Sequence, residues 1–133
     1  MTYIPVHLQT FSPLLRGGTT DYTTTTNDGY YQISGNVIDV FIHIVWTAKG
    51  GGPTDTINVT LPVVATADTN YPNGYELTIG KFTGFSSQSP VQIVSNFGRN
   101  ATQTNFFNVT GTQVVNTNLT TSGTLVLSGT YEV

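Results

Sequence analysis

Apolar residues recur at every second position along most of this 133-residue chain. The clearest run lies between residues 37 and 47, and it predicts a strand with one wholly apolar face. That face comprises Ile38, Val40, Ile42, Ile44 and Trp46. The segment INVTLP alternates in the same way and ends at Pro62. A period of two is typical of β-strands that bury one face, and no stretch shows the 3.6-residue period of an amphipathic helix.

Turn-forming residues divide the alternating runs into about eight strands. The Gly35-Asn36 pair predicts a two-residue hairpin turn, because glycine adopts a positive φ without steric cost. The alternation changes face near Gly80, which predicts a β-bulge. The threonine-rich residues 14–29 are predicted to form a connection or a weak strand. The strands are expected within residues 3–10, 29–34, 36–48, 56–62, 75–85, 90–97, 104–109 and 122–133.

This pattern predicts one domain, residues 1–133, with an all-β fold. Turn signals separate the strands every ten or so residues, as in antiparallel β-sandwiches, and a jelly-roll-like arrangement fits best. The segments 90–97 and 104–109 are expected to pair with each other across the short turn GRNA.

The second face of the strand at residues 37–47 is unusual, because it is half apolar as well. Phe41, His43 and Val45 lie on it between Asp39 and Thr47. A strand that turns one face to water is expected to be polar there. Either a loop of the same chain or a neighbouring subunit is therefore expected to cover this face.

Only 8% of the residues are charged and the formal net charge is −3, so uncharged polar residues supply most of the polarity. Such a surface suits uncharged polar partners or self-association. The cations Arg16, Lys49, Lys81 and Arg99 are scattered along the chain, which argues against a nucleic-acid site. The sequence contains no basic amphipathic helix of the kind that binds membrane surfaces. It also contains no cysteine, which excludes thiol chemistry.

The first residues, MTYIPVHLQT, lack the basic and apolar regions of a signal peptide. The apolar run at residues 37–46 is too short to cross a bilayer and contains Asp39. We therefore expect a protein that is made in a cytoplasm and released by lysis.

The ionisable side chains show no arrangement that is typical of catalysis. His43 and Asp39 share a strand face, but four residues at roughly 3.3 Å each place them about 13 Å apart. Asp28 and Asp55 lie beside turn-forming residues, where aspartate is common. A carboxylate pair formed only by folding is the alternative that the sequence leaves open. We predict no enzymatic activity, no cofactor and no metal site.

Two predicted loops carry residues that suit sugar recognition. NYPNGY contains Tyr71, Asn73 and Tyr75, and FGRNA contains Arg99 and Asn100. A tyrosine ring offers a flat amphipathic surface, whereas amide groups form paired hydrogen bonds. We expect Tyr71 or Tyr75 to stack on a sugar ring and Asn73, Arg99 and Asn100 to bind its hydroxyl groups. A role as plain turn residues is the alternative.

Four segments occur in a distinctive order: YIPVHLQTFSPLLRGG, GYYQISGNVIDVFIHIVWTA, INVTLP and, at the end, SGTLVLSGTYEV. This order resembles the C-terminal receptor-binding head domains of fibres and tail appendages from phages and other large DNA viruses. The resemblance covers almost the whole chain but is poor over residues 63–121, where the variable receptor site of such a head would lie.

The resemblance implies a homotrimeric jelly-roll head on the virion surface that attaches to a host receptor, here expected to be a glycan. It also implies that neighbouring subunits cover Phe41, His43 and Val45. Two alternatives are a structural trimerisation or capsid-decoration domain without a receptor, and a carbohydrate-binding module of a polysaccharide-degrading enzyme.

Overall fold

The computed structural model describes residues 8–71, 73–86, 93–108 and 110–133, and within them the fold is all-β. The ten strands are β1 (Gln9–Phe11), β2 (Leu15–Gly17), β3 (Thr20–Asp21), β4 (Thr23–Ser34), β5 (Val37–Ala48), β6 (Ile57–Thr60), β7 (Thr78–Phe82), β8 (Ile93–Asn96), β9 (Gln103–Asn108) and β10 (Gly123–Glu132). The only helical element in the described ranges is a 3₁₀ turn at Asn116–Asn118. No helix there has the length and apolar character needed to cross a membrane.

The strands form two five-stranded antiparallel sheets. Sheet A has the order β1-β4-β5-β10-β7, and sheet B has the order β3-β2-β6-β9-β8. The chain crosses repeatedly between the two sheets, for example from β5 to β6, back to β7 and again to β8. Buried residues of both sheets form one hydrophobic cluster. The predicted antiparallel β-sandwich is therefore confirmed.

Three local predictions are also confirmed. β4 and β5 form a hairpin in which Gly35 has a φ of 63°. Only the first central turn residue has a positive φ, as a type II′ turn requires. In β7 the register passes from Lys81 to Ile79 opposite consecutive residues of β10, so Gly80 is the bulged residue. β8 and β9 pair antiparallel, as expected for residues 93–97 and 104–108.

The threonine-rich segment is more regular than the sequence suggests. It contributes β2, β3 and the first half of β4, which pairs with the end of β5. Threonine is β-branched and packs well on a pleated surface, which explains this extension. The strand predicted at residues 75–85 begins only at Thr78. Residues 3–7 of the first predicted strand lie outside the described residues.

The core lies between the sheets, and the five alternating apolar residues of β5 are buried in it. β10, the neighbour of β5 in sheet A, adds Leu125, Leu127 and Tyr131, and β6 and β9 of sheet B contribute Ile57, Val59 and Phe106. Trp46 is completely buried and contacts Tyr22 and Phe82 edge to face. A Cβ atom on Gly123 would approach the indole within 2.3 Å, so the ring occupies space that only glycine leaves free. The sequence prediction of a buried face is confirmed at every one of the five positions.

The outer face of sheet A is open in the described chain. Phe41 is 42% exposed and Tyr30, directly opposite on β4, is 38% exposed. Their ring centroids lie 6.4 Å apart. His43 and Val45 are half-buried beside their strand neighbours. We refer to the outward residues of β4, β5 and β10 as the open face.

Candidate functional site

The two loops predicted to recognise sugar meet at one end of the sandwich. Tyr75 and Phe97 form an isolated antiparallel bridge between them. The Tyr75 N–H donates to the Phe97 carbonyl at 2.8 Å, and the Phe97 N–H donates to the Tyr75 carbonyl at 3.0 Å. The bridge joins the end of the first loop to the start of the second. We name residues 63–71, 73–75 and 97–101 the loop cluster.

Arg99 connects the two loops through both its backbone and its side chain. Its N–H donates to the Asn73 Oδ1 atom at 3.0 Å. Its Nη1 atom donates to the carbonyl oxygens of Thr69 and Tyr71, at 3.3 and 3.1 Å. Arg99 thereby stabilises the shape of the first loop. A guanidinium group carries five N–H donors, so capacity is left for a ligand after these contacts.

Asn100 shapes the second loop through its backbone. Its φ of 62° lies in the left-handed region, which asparagine adopts more readily than most residues. Its N–H lies 3.2 Å from the carbonyl oxygens of both Ala65 and Thr66. The residue itself is exposed, so this geometry presents its amide group to solvent beside the first loop.

Tyr71 links the loop cluster to the tip of the β4–β5 hairpin. Its hydroxyl accepts a hydrogen bond from the Asn36 Nδ2 atom, and the residue is half-buried. Its N–H donates to the Asp68 carbonyl at 3.2 Å, which closes a turn before it. The hydrogen bond from Asn36 and this turn together fix the position of the Tyr71 ring.

Tyr75 lies in the core rather than on the surface. It is only 8% exposed, and its ring packs against Phe97 and Tyr131, with centroids 5.5 and 6.3 Å away. Burial, and then the nearby Glu132 carboxylate, raise the pKa of its hydroxyl. The two groups do not meet hydrogen-bond geometry, and among the described residues the hydroxyl has no partner. Of the two tyrosines predicted to stack on sugar, Tyr71 is therefore the one whose ring solvent can reach.

Asn36 is a member of this surface that the sequence did not reveal. Besides contacting Tyr71, its carbonyl accepts the Val133 N–H at 2.9 Å. The Thr66 N–H donates to the Glu132 carbonyl at 2.8 Å. The hairpin tip and the end of β10 thus frame the loop cluster. The Gly35-Asn36 pair identifies Asn36 only as a turn residue, because the length and register of β4 and β5 decide that the hairpin tip reaches this end.

Charge around the loop cluster is low and mixed. The Arg99 guanidinium contacts neutral carbonyl groups, and the Asp68 carboxylate accepts hydrogen bonds at 2.9 Å from the backbone and the side chain of Asn70. The only ion pair in the described chain is Arg16–Asp21, which lies on β2 and β3. The described residues also contain no group of three or more acids or histidines that could hold a metal ion. An aromatic ring among amides and hydroxyls suits a neutral polar ligand.

No protein family and no curated protein matches the sequence. In structure, the chain is similar to the Dettilon tailspike protein, known from a crystal structure, with a TM-score of 0.72 and 14% sequence identity. The similarity covers 96% of this chain but only 24% of the tailspike chain. At this identity the similarity shows a shared fold. This β-sandwich therefore also occurs as one part of a much longer tailspike protein.

Proposed function

We propose that this chain is a domain of a viral tail or fibre appendage that attaches the virion to a neutral glycan on the host surface, without enzymatic activity. The observation that supports this most is the loop cluster, in which an anchored tyrosine is surrounded by amides and one guanidinium group. The shared fold with a tailspike domain supports the placement on a virion appendage.

In this proposal Tyr71 stacks on the apolar C–H face of a sugar ring. Asn73, Asn100 and the free N–H groups of Arg99 bind hydroxyl groups around it. The loops are already held together by the Arg99 and Tyr75 hydrogen bonds. Little conformational freedom would then be lost on binding, which favours affinity in a shallow site.

The test is binding to an array of neutral and acidic oligosaccharides, at low and at high salt. We expect Tyr71→Ala to abolish binding, whereas Tyr71→Phe, which keeps the ring and loses only the contact with Asn36, retains most of it. Arg99→Ala is expected to weaken binding by loosening the first loop. Because the partner is neutral, salt should have little effect. Wild-type binding by folded Tyr71→Ala and Arg99→Ala variants would exclude the loop cluster as the site, and loss of binding at high salt would exclude a neutral ligand.

We further propose that the domain works as a homotrimer and that neighbouring subunits cover the open face. The exposure of Phe41 and Tyr30 supports this, because no described segment of the same chain covers the pair. Three sites on one head would raise a weak single-site affinity through effective concentration. The same exposure also favours the alternative of a purely structural trimerisation domain. Binding on the oligosaccharide array discriminates the two, because only an attachment domain would show it.

A further inference from the structure

Asn73 and Gly74 form the single Asn-Gly pair of the sequence, and the structure places this pair on the surface of the loop cluster. Both residues are exposed. A Cβ atom on Gly74 would meet no atom within 4 Å, and the φ of Gly74 is not positive. The backbone nitrogen of Gly74 is therefore unhindered, and glycine gives the peptide the freedom to turn toward the preceding side chain.

The Asn73 carboxamide is polarised by its contact with the second loop. Its Oδ1 atom accepts the Arg99 N–H at 3.0 Å, and a Cβ atom on Gly98 would lie 3.0 Å from the same oxygen. The oxygen thus lies close against the turn at residues 98–99. A backbone N–H directed at a carbonyl oxygen stabilises the negative charge that develops there when a nucleophile attacks the carbon.

We propose that Asn73 is a site of spontaneous deamidation, with the Gly74 nitrogen as nucleophile and the Arg99 N–H as the group that stabilises the transition state. After losing its proton to solvent, the Gly74 nitrogen attacks the Asn73 Cγ atom. The bond from Cγ to Nδ2 breaks, and Nδ2 leaves as ammonia with a proton taken from water. Water then opens the resulting succinimide at either carbonyl, giving aspartate or isoaspartate.

The modification changes the loop cluster in two ways. Either product adds one negative charge at the position where the Asn73 side chain accepts the Arg99 backbone N–H. The isoaspartate product also routes the main chain through the former side chain and lengthens it by one carbon. The oxygen that accepts the Arg99 N–H is then displaced, and Asn73 loses its hydrogen bond to the turn at residues 98–99. The surface proposed to bind glycan would therefore change chemically with time.

The chemical test follows the folded protein during incubation in mildly alkaline buffer, with peptide mass spectrometry and enzymatic detection of isoaspartate. We expect Asn73 to convert before every other asparagine. Asn70 is the internal control, because it is exposed in the same loop but is followed by the bulky Tyr71. Gly74→Ala, which the open space accommodates, should slow the reaction at least roughly tenfold by restricting the backbone. Gly98→Ala, which crowds the Asn73 oxygen, should slow it by a smaller factor.

Two results would overturn the proposal. One is an intact Asn73 in the folded protein after a urea-unfolded sample has converted, which would mean that the fold protects the amide. The other is equal conversion in wild type and Gly74→Ala, which would exclude the Gly74 nitrogen. Circular dichroism and thermal melting establish that each variant is folded.

The consequence for attachment rests on the proposed function and is measured separately. Fully converted protein and fresh protein are compared on the oligosaccharide array, with incubated Gly74→Ala as the matched control. Conversion with loss of binding supports both proposals. Conversion without loss of binding leaves the deamidation established and counts against the loop cluster as the glycan site.

Discussion

Trp46 has the largest fully buried side chain among the described residues. Its ring is completely buried, contacts Tyr22 and Phe82, and lies in the space beside Gly123, while its Nε1–H donates to the Thr120 carbonyl at 3.1 Å. A smaller side chain would leave a cavity that the surrounding strands cannot fill. The contribution of this position to stability therefore comes from packing and from one partly buried hydrogen bond.

We expect Trp46→Ala to lower the free energy of unfolding by about 3–5 kcal/mol. Trp46→Phe is the matched control, because it keeps an aromatic ring and removes only the hydrogen bond and part of the volume, so its effect should be smaller. Chemical denaturation measures both. A Trp46→Ala variant within about 0.5 kcal/mol of wild type, as for a neutral surface change, would contradict this assignment.

Gly35 contributes to stability through its backbone conformation and not through side-chain packing. Its φ is 63°, and a Cβ atom there would meet nothing within 4 Å. Any cost of substitution therefore comes from conformation and not from a clash with neighbours. We expect Gly35→Val to destabilise by roughly 1–2 kcal/mol and Gly35→Asn to cost less, since asparagine tolerates this region. Equal stability of the two variants in chemical denaturation would show that the turn changes its conformation.

At the scale of elements, two buried tyrosines form hydrogen bonds with segments that connect strands. The Tyr131 hydroxyl on β10 donates to the Val63 carbonyl at 2.7 Å. The Tyr22 hydroxyl, between β3 and β4, donates to the Asn116 Oδ1 atom. The Asn116 Nδ2 atom lies 3.1 Å from each carbonyl oxygen of residues 50–52, so this contact also holds the glycine-rich loop. Burial raises the pKa of both Tyr22 and Tyr131 to about 12.

These shifts predict a loss of stability in alkali. The unfolded chain releases the tyrosine protons near the ordinary pKa of 10.0, whereas the folded protein keeps them until about pH 12. Stability is therefore fully present below pH 10 and falls as the pH rises from 10 to 12, by about 1–3 kcal/mol for each tyrosine. The double variant Tyr22→Phe, Tyr131→Phe should lose less stability over this interval. Urea denaturation of both proteins at several pH values measures this difference. If the free energy of unfolding falls equally with pH in wild type and in the double variant, the two tyrosines are not the cause.

At the scale of the whole molecule, the open face is the feature that the described residues of one subunit leave uncovered. The rings of Tyr30 and Phe41 lie beside each other on this face, and both residues are exposed. Apolar surface of this kind is favourably removed from water by a second chain. A mass of three times 14.3 kDa in light scattering is therefore expected.

Phe41→Thr should shift this assembly toward monomers and leave the subunit fold unchanged, because the ring contributes little to the core. Val64→Thr is the matched control: Val64 is also an exposed apolar residue, but it belongs to the loop cluster and to none of the strands of the open face. A clean monomer for the wild type at micromolar concentration would contradict the homotrimer. Equal effects of the two variants would place the interface elsewhere.

Much of the fold follows from local patterns. The alternation of β5 assigned its five core residues, the Gly35-Asn36 pair assigned the hairpin, and the change of parity assigned the bulge at Gly80. Each of these depends on side chains and dihedral angles within a few residues, so the sequence is sufficient. The threonine-rich segment was assigned less well, because its strands depend on pairing with β5 and β6 and not on hydrophobic alternation.

Some features of the candidate site could likewise be predicted from the sequence, and others depended on the tertiary structure. The sequence by itself determined which residue types are available, namely tyrosine, amide and guanidinium groups in two loops of a weakly charged chain. Only the tertiary structure decided that these loops meet, that Asn36 joins them, that Tyr75 belongs to the core and that Arg99 holds the first loop. Contacts across more than 20 positions depend on how strands of given length and register pack together. Local patterns determine which way each side chain of a strand points, whereas the packing of the two sheets determines which distant side chains share one surface.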